Sequence, residues 1–244
     1  MSSSRLDVPR RFQRSVKKDE EFAVKSARVM IPELATLCGH EDLGELSVLD
    51  VGCGVKFSQV LMNDGLPVGR YVGVDVYRPM IEFLRDNVSD ERFEFHHVDF
   101  RNERYNPEGA AMTAESRLPV PESAFDVICL FSVFTHLDPT DYVAMLNLLR
   151  RYVKPSGRAV YSIFLDRLST SGHGFMDVWA RKMGKQAVGK TETYRDFTRD
   201  DPLKQALYSE EYARTLVEGT GWRVDRIIEP TQYVQHQFVV VPIP

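Results

Sequence analysis

The sequence predicts an α/β protein built on a mostly parallel sheet, and three observations carry that prediction. Short apolar runs alternate with helical patterns along the 244 residues. A glycine turn follows the first run directly. The last two runs lie too close together for a crossover helix, so they are expected as antiparallel neighbours.

The strands are expected at Ser47–Val51, Tyr71–Asp75, Phe93–Asp99, Phe125–Phe131, Arg158–Leu165, Trp222–Ile228 and Gln237–Pro242. Helices are placed by their punctuation. Asp138-Pro139-Thr140-Asp141 sets an acceptor at the N-cap, proline at N1 and an acid at N3, predicting a helix over Pro139–Tyr152. Others are expected at Glu20–Leu37, Pro79–Val88 and, behind a Ser209 cap, Ser209–Glu218. Two stretches fall outside a minimal fold, Asn102–Ala124 and Asp166–Leu207, and long loops in compact domains usually serve function.

Length predicts one domain over residues 1–244, with residues 166–207 as an insert or lid that contributes to the acceptor site. Residues 1–18 hold six basic side chains (Arg5, Arg10, Arg11, Arg14, Lys17, Lys18) against Asp7, and read as a flexible basic leader. No apolar h-region follows them, and no run approaches the ~18 apolar residues of a membrane span. The net charge of -4 argues against nucleic acid as the main partner. Cys38, Cys53 and Cys129 are odd in number and lack C-x-x-C spacing, which fits reduced thiols and a cytoplasmic location.

The strand ends carry the chemistry. Val48 to Val51 runs into Gly52-Cys53-Gly54, placing a glycine turn at the carboxyl end of the first strand, where open α/β sheets bind ligands. Glycine lets backbone approach a ligand closely, and Asp50 can accept hydrogen bonds from the loop or a ligand ammonium. Tyr71-Val72-Gly73-Val74-Asp75 ends the second strand in an acid able to take both hydroxyls of a ribose. A dinucleotide site shares these features but requires a third glycine at position 57, where Phe57 stands. Val98-Asp99-Phe100 then sets an acid beside an aromatic, suited to an adenine amino group and ring.

The series Val48-Leu49-Asp50-Val51-Gly52-Cys53-Gly54, Val74-Asp75, Val98-Asp99-Phe100, Phe125-Asp126-Val127-Ile128 and Leu149 to Arg158 resembles the class I, S-adenosylmethionine-dependent methyltransferases over roughly residues 45–165. The resemblance implies a Rossmann-like three-layer α/β/α sandwich whose seven-stranded, mostly parallel sheet ends in an antiparallel strand. It assigns Asp50, Gly52, Cys53 and Gly54 to the methionine end and Asp75 to the ribose. Asp99 and Phe100 go to the adenine, and Val76, Met80, Phe131 and Ser132 complete the cofactor set. Asp126, at the start of its strand, reads as structural. One departure stands out: Lys56 occupies the family's usual third-glycine position.

For the acceptor, Leu130-Phe131-Ser132-Val133 replaces the Asn/Asp-Pro-Pro-aromatic tetrapeptide of nucleobase amino methyltransferases. Phe131 to Leu137, Tyr105-Asn106-Pro107-Glu108-Gly109 and Val234 to Val241 are similar to a bacterial subgroup that accompanies glycan biosynthesis, including enzymes of mycobacterial methylmannose polysaccharides. That implies O-methylation of a saccharide or glycoside, leaving S-adenosylhomocysteine. A hydroxyl must lose its proton, and a histidine is the side chain suited to take it. His136, just after the fourth strand, is the first candidate base and His236 the second. His173, Trp179, Tyr194 and Arg195 are the expected acceptor-binding groups. Asp138 and Asp141 are accounted for as helix caps, and adjacent His96 and His97 point to opposite sheet faces. No metal site is expected; sugar O-methyltransferases can use magnesium, but no oxygen-ligand cluster is fixed here. A small metabolite or lipid acceptor, or a non-catalytic S-adenosylmethionine-binding module, are the rival readings, and a homo-oligomer stays open.

Overall fold

The computed structural model describes residues 5–13, 20–113, 115–167, 193–196, 205–230 and 234–244. In chain order these form α1 (Glu20–Leu37), β1 (Leu43–Val51), α2 (Lys56–Asn63), β2 (Val68–Asp75), α3 (Arg78–Asn87), β3 (Phe93–His97), β4 (Phe125–Leu130), α4 (Pro139–Arg150), β5 (Val153–Leu165), β6 (Tyr194–Asp196), β7 (Ala206–Tyr208), α5 (Glu210–Thr215), β8 (Trp222–Ile228) and β9 (His236–Pro242).

The central sheet runs β3-β2-β1-β4-β5 in parallel, and β9 then pairs antiparallel with both β5 and β8. This is the expected Rossmann-like arrangement with a reversed strand near its edge. The inner strands are buried on both faces, which is why Val48 to Val51 and Phe125 to Leu130 are mostly apolar, each interrupted by one aspartate, Asp50 and Asp126. One face packs a core from α1, α2 and α3, and the other a core from α4 and α5. Trp222 pins β8 to α4 by donating its indole N–H to the Leu146 carbonyl at 2.9 Å.

The caps act as expected. Asp138 accepts from the N–H groups of Thr140 and Asp141, and Ser209 accepts from Tyr212. Asp126 takes the Ser47 N–H and the Lys154 ammonium at the amino end of the sheet, a structural role. The three cysteines are free and buried, and burial pushes the Cys38 thiol up to about 12.

Four features differ from the sequence expectation. Helix α2 has no side-chain cap, and six of its eight residues are buried, so neither punctuation nor an exposed polar face announces it. Helix α5 ends at Thr215 rather than continuing to Glu218. The long β5 projects past its partner β9, and its last residues pair with β7, which pairs with β6, adding a short ribbon to the seven-strand frame. Finally, residues 5–13 of the basic leader are docked. Leu6 exchanges hydrogen bonds with the Asn63 side chain, and buried Phe12 packs on Tyr77 and Phe83 with ring centroids 5.9 and 5.2 Å apart.

Candidate active site

The carboxyl ends of β1 to β5 converge on one edge. At its centre the Gly52 and Cys53 N–H groups both donate to the Val74 carbonyl, fastening the glycine loop to β2. Gly52 has φ +71° and Gly54 φ +54°, a region costly for other residues. A Cβ on Gly52 would lie 2.5 Å from Val133, whereas one on Gly54 would enter open space. The loop is therefore packed on the β4 side and open at Gly54. Cys53 supplies backbone only, since its thiol is buried against Gly73.

Three carboxylates follow at the strand ends. Asp50 is buried, accepts from the Tyr71 hydroxyl at 2.6 Å and is also bonded by Cys129. Burial pushes its carboxyl up to about 7, against those two bonds, and the nearby Asp75 charge adds to the rise. Asp75 accepts from the Gly54 N–H at 3.1 Å and the Tyr77 N–H at 2.9 Å, tying the loop to the start of α3. A carboxylate offers about four acceptor positions, so Asp75 retains two. Asp99 is exposed beside half-buried Phe100 and accepts from the Asn106 amide at 2.9 Å.

Lys56 opens α2 with helical backbone, so this chain needs no glycine there. Phe57, one residue on, is buried in the core and packs on Phe131 with ring centroids 5.3 Å apart. Val76 is half-buried and packs against the core on the α4 side, while Met80 is buried in the core on the other face of the sheet.

Beyond β4 the backbone turns sharply. Ser132 has φ +60°, donates its N–H to Ser162 Oγ at 2.7 Å and receives the Gln235 amide on its hydroxyl at 3.1 Å. A 3-10 turn, Phe134–His136, follows. Phe134 stacks on Tyr161 at 4.1 Å and meets Tyr142 edge-on, and the Tyr208 hydroxyl holds the Leu137 carbonyl at 2.6 Å. Half-buried His136 is thus fixed by packing on both flanks, one turn from Val133 and the glycine loop.

His236 lies elsewhere. It opens β9 opposite Ile163, on the face shared with Phe238, and is fully buried with neither ring nitrogen hydrogen-bonded among the described residues. Burial and the Arg167 charge push it down to about 4, partly offset by Glu229 and Glu210. Tyr194 packs on Tyr208 at 5.2 Å in the β6–β7 ribbon, with Arg195 half-buried beside it. His173 and Trp179 lie outside the described residues. His96 pairs with Glu94 at 2.6 Å on the edge strand, and no group of three or more metal-ligating side chains occurs among the described residues. Tyr71, Tyr77, Asn106 and Gln235 were missed as supporting residues. Tyr71, Asn106 and Gln235 stood in segments noted in the sequence, whereas Tyr77 did not.

The fold is that of the class I, Rossmann-like methyltransferases. Residues 49–161 match the family model described as a methyltransferase domain. The malonyl-[acyl-carrier protein] O-methyltransferase of Acetivibrio thermocellus is 30% identical over 95 residues, 39% of this chain and 33% of that protein. The chain spans about a third of the length of the curated relatives it matches. Among solved structures, a methyltransferase from Mesorhizobium loti superposes with TM-score 0.59 at 11% identity, covering 93% of this chain and 99% of the other. Magnesium protoporphyrin IX methyltransferase from Synechocystis, with S-adenosylhomocysteine bound, gives 0.57 at 15% identity over 96% and 92%.

S-adenosylmethionine is the cofactor of this class, and the residues present fit it. The loop is open at Gly54, Asp75 keeps acceptor capacity at the ribose position, and an accessible acid stands beside an aromatic where the adenine belongs.

Proposed function

We propose that the chain is an O-methyltransferase acting on a hydroxyl of a saccharide or glycoside, with His136 as general base and S-adenosylhomocysteine as product. When bound, S-adenosylmethionine supplies a methyl group on a sulfonium, already a good leaving group. The protein's part is to align the acceptor, an effect worth up to ~7–11 kcal/mol, and to remove its proton.

The observation that carries this reading is the anchoring of His136 between Phe134, stacked on Tyr161, and Leu137, held by Tyr208. A base needs a fixed position relative to the methyl group, and this segment reaches the glycine loop through Val133. His236 is sealed in the core and serves less well. A polar acceptor is supported by the buried Thr135 hydroxyl, in the same turn as His136, which has no hydrogen-bond partner among the described residues. Buried polar atoms are normally satisfied, so such a group marks where a hydrogen-bonding ligand gains most. Tyr194 and Arg195 are taken as acceptor contacts from the β6–β7 ribbon.

The test is transfer of tritiated methyl from S-adenosylmethionine to a panel of saccharides, lipids and phenols. Label on a saccharide, in an ether stable to base, is the expected outcome. Transfer confined to lipids or phenols would replace the acceptor class, and transfer to none would favour a binding module.

A further inference from the structure

We propose that Asn106 is a positioning residue for the donor's adenine, locking the Asp99 carboxylate and the Phe100 backbone in one relative orientation. The inference rests on the reading of Asp99 and Phe100 as the adenine-facing pair.

The Asn106 Nδ2 donates to Asp99 Oδ1 at 2.9 Å and to the Phe100 carbonyl at 3.0 Å. A carboxylate and a carbonyl only accept, so the NH2 end of the amide must face them and its orientation is unambiguous. Both of its protons are then committed. The residue itself is equally constrained, because Asn102 and Asn106 exchange two backbone hydrogen bonds of 2.9 Å. Asn102 Oδ1 takes the N–H groups of Arg104 and Tyr105, and Ala110 closes the base of the loop with Asp99 and Arg101. Gly109 makes room for the amide: a Cβ there would collide with Asn106 Nδ2 and lie 2.7 Å from the Phe100 oxygen. The outer turn rests on the ribose side of the site, with Tyr105 packed 5.6 Å from Tyr77, two residues after Asp75.

The chemistry follows from which Asp99 oxygen is held. With Oδ1 bound to Asn106, Oδ2 is presented as a pure acceptor in a fixed plane. That arrangement accepts from a 6-amino group and repels a 6-oxo group. Asn106 therefore converts an exposed, rotatable carboxylate into a reader of the purine's sixth position, without touching the ligand.

The test compares S-adenosylhomocysteine with its 6-oxo analogue S-inosylhomocysteine by calorimetry. The wild type is expected to favour the amino compound by about tenfold or more, the scale of one hydrogen bond. In Asp99→Asn, Asn106 requires an acceptor, so the new amide turns its oxygen toward Asn106 and its NH2 toward the ligand. The preference then inverts. In the double variant Asp99→Asn/Asn106→Ala the amide turns freely and the ratio falls to near one, while Asn106→Ala alone weakens the wild-type preference severalfold. An inverted preference that survives in the double variant would overturn the role of Asn106. Identical ratios in the wild type and Asp99→Asn would instead remove Asp99 from the adenine, which separates failure of the underlying reading from failure of the inference. Each readout is a ratio of two ligands on one protein, so a partial loss of folded material does not imitate it.

Discussion

The donor half of the site, above β1 to β3, and the acceptor half, above β4, β5 and β9, are built on different terms. In the donor half every acid is held by the chain: Asp50 by Tyr71 and Cys129, Asp75 by Gly54 and Tyr77, Asp99 by Asn106. In the proposed acceptor half aromatic packing fixes the backbone, but the Thr135 hydroxyl and the His236 ring lack hydrogen-bond partners among the described residues. Leaving a buried polar group unsatisfied costs ~1–3 kcal/mol. The difference teaches that the β1–β3 side is preorganised by its own hydrogen bonds, whereas the other side leaves the Thr135 hydroxyl unsatisfied, the capacity on which the proposed polar acceptor would draw.

The largest expected effect separates the halves by function. His136→Ala is expected to lower turnover by ~10²- to 10⁴-fold, the range for loss of a general base, with donor affinity little changed. Near-normal turnover removes His136 as base, and a parallel loss of donor affinity means the two halves are not independent.

A second prediction sets the halves against each other in pH. Asp50 holds its proton up to about 7 in the fold against an ordinary 3.8, so between these values the folded state binds more protons and stability falls as pH rises. His236 titrates at about 4 against an ordinary 6.5, so in that window the unfolded state binds more protons and stability rises with pH. The two slopes oppose each other between pH 4 and 6.5. Asp50→Asn should therefore gain melting temperature relative to wild type as pH rises toward 7, while His236→Phe should gain on wild type as pH falls from 6.5 toward 4. In a chain of this size ~1 kcal/mol moves Tm by ~2–4 °C, so calorimetric melts from pH 4 to 8 resolve the crossing. Parallel curves for all three proteins contradict it.

The smallest effect guards the assignment of the base. Asparagine caps helices as well as aspartate does, so Asp138→Asn is expected to shift stability by no more than ~0.5 kcal/mol and to preserve turnover. A large fall in turnover would make Asp138 a catalytic acid or base rather than the cap of α4.

The same division explains what could be read in advance. In the proposed donor half the chemical groups follow the strands in sequence, so Gly52, Asp75 and Asp99 announced the strand ends, and their assignment to the cofactor rests on that order. The β8–β9 pairing was legible from its short link. What escaped depended on contacts distant in sequence or on absent punctuation. Helix α2 starts at Lys56 behind Val55 without a side-chain cap. The leader looked solvated because its charges outnumber Leu6, Val8 and Phe12, yet those three are the residues buried. The aromatic support of His136 comes from Tyr161 and Tyr208, on strands 25 and 72 residues further along the chain. The β6–β7 ribbon consists of three-residue strands, too short to show a period of two. His173 and Trp179, expected as acceptor contacts, stay with the sequence reading.

The central claim is that the edge formed by Gly52, Gly54, Asp75 and Asp99 binds S-adenosylmethionine, and titration calorimetry of the wild type and Asp75→Ala tests it most directly. The account predicts saturable one-to-one binding by the wild type. In Asp75→Ala, which loses charge-assisted hydrogen bonds from the Gly54 N–H of the loop and the Tyr77 N–H at the start of α3 besides the proposed ribose contact, affinity should fall by about 10²-fold. Absence of binding to the wild type at millimolar ligand, or undiminished affinity in the variant, would contradict it.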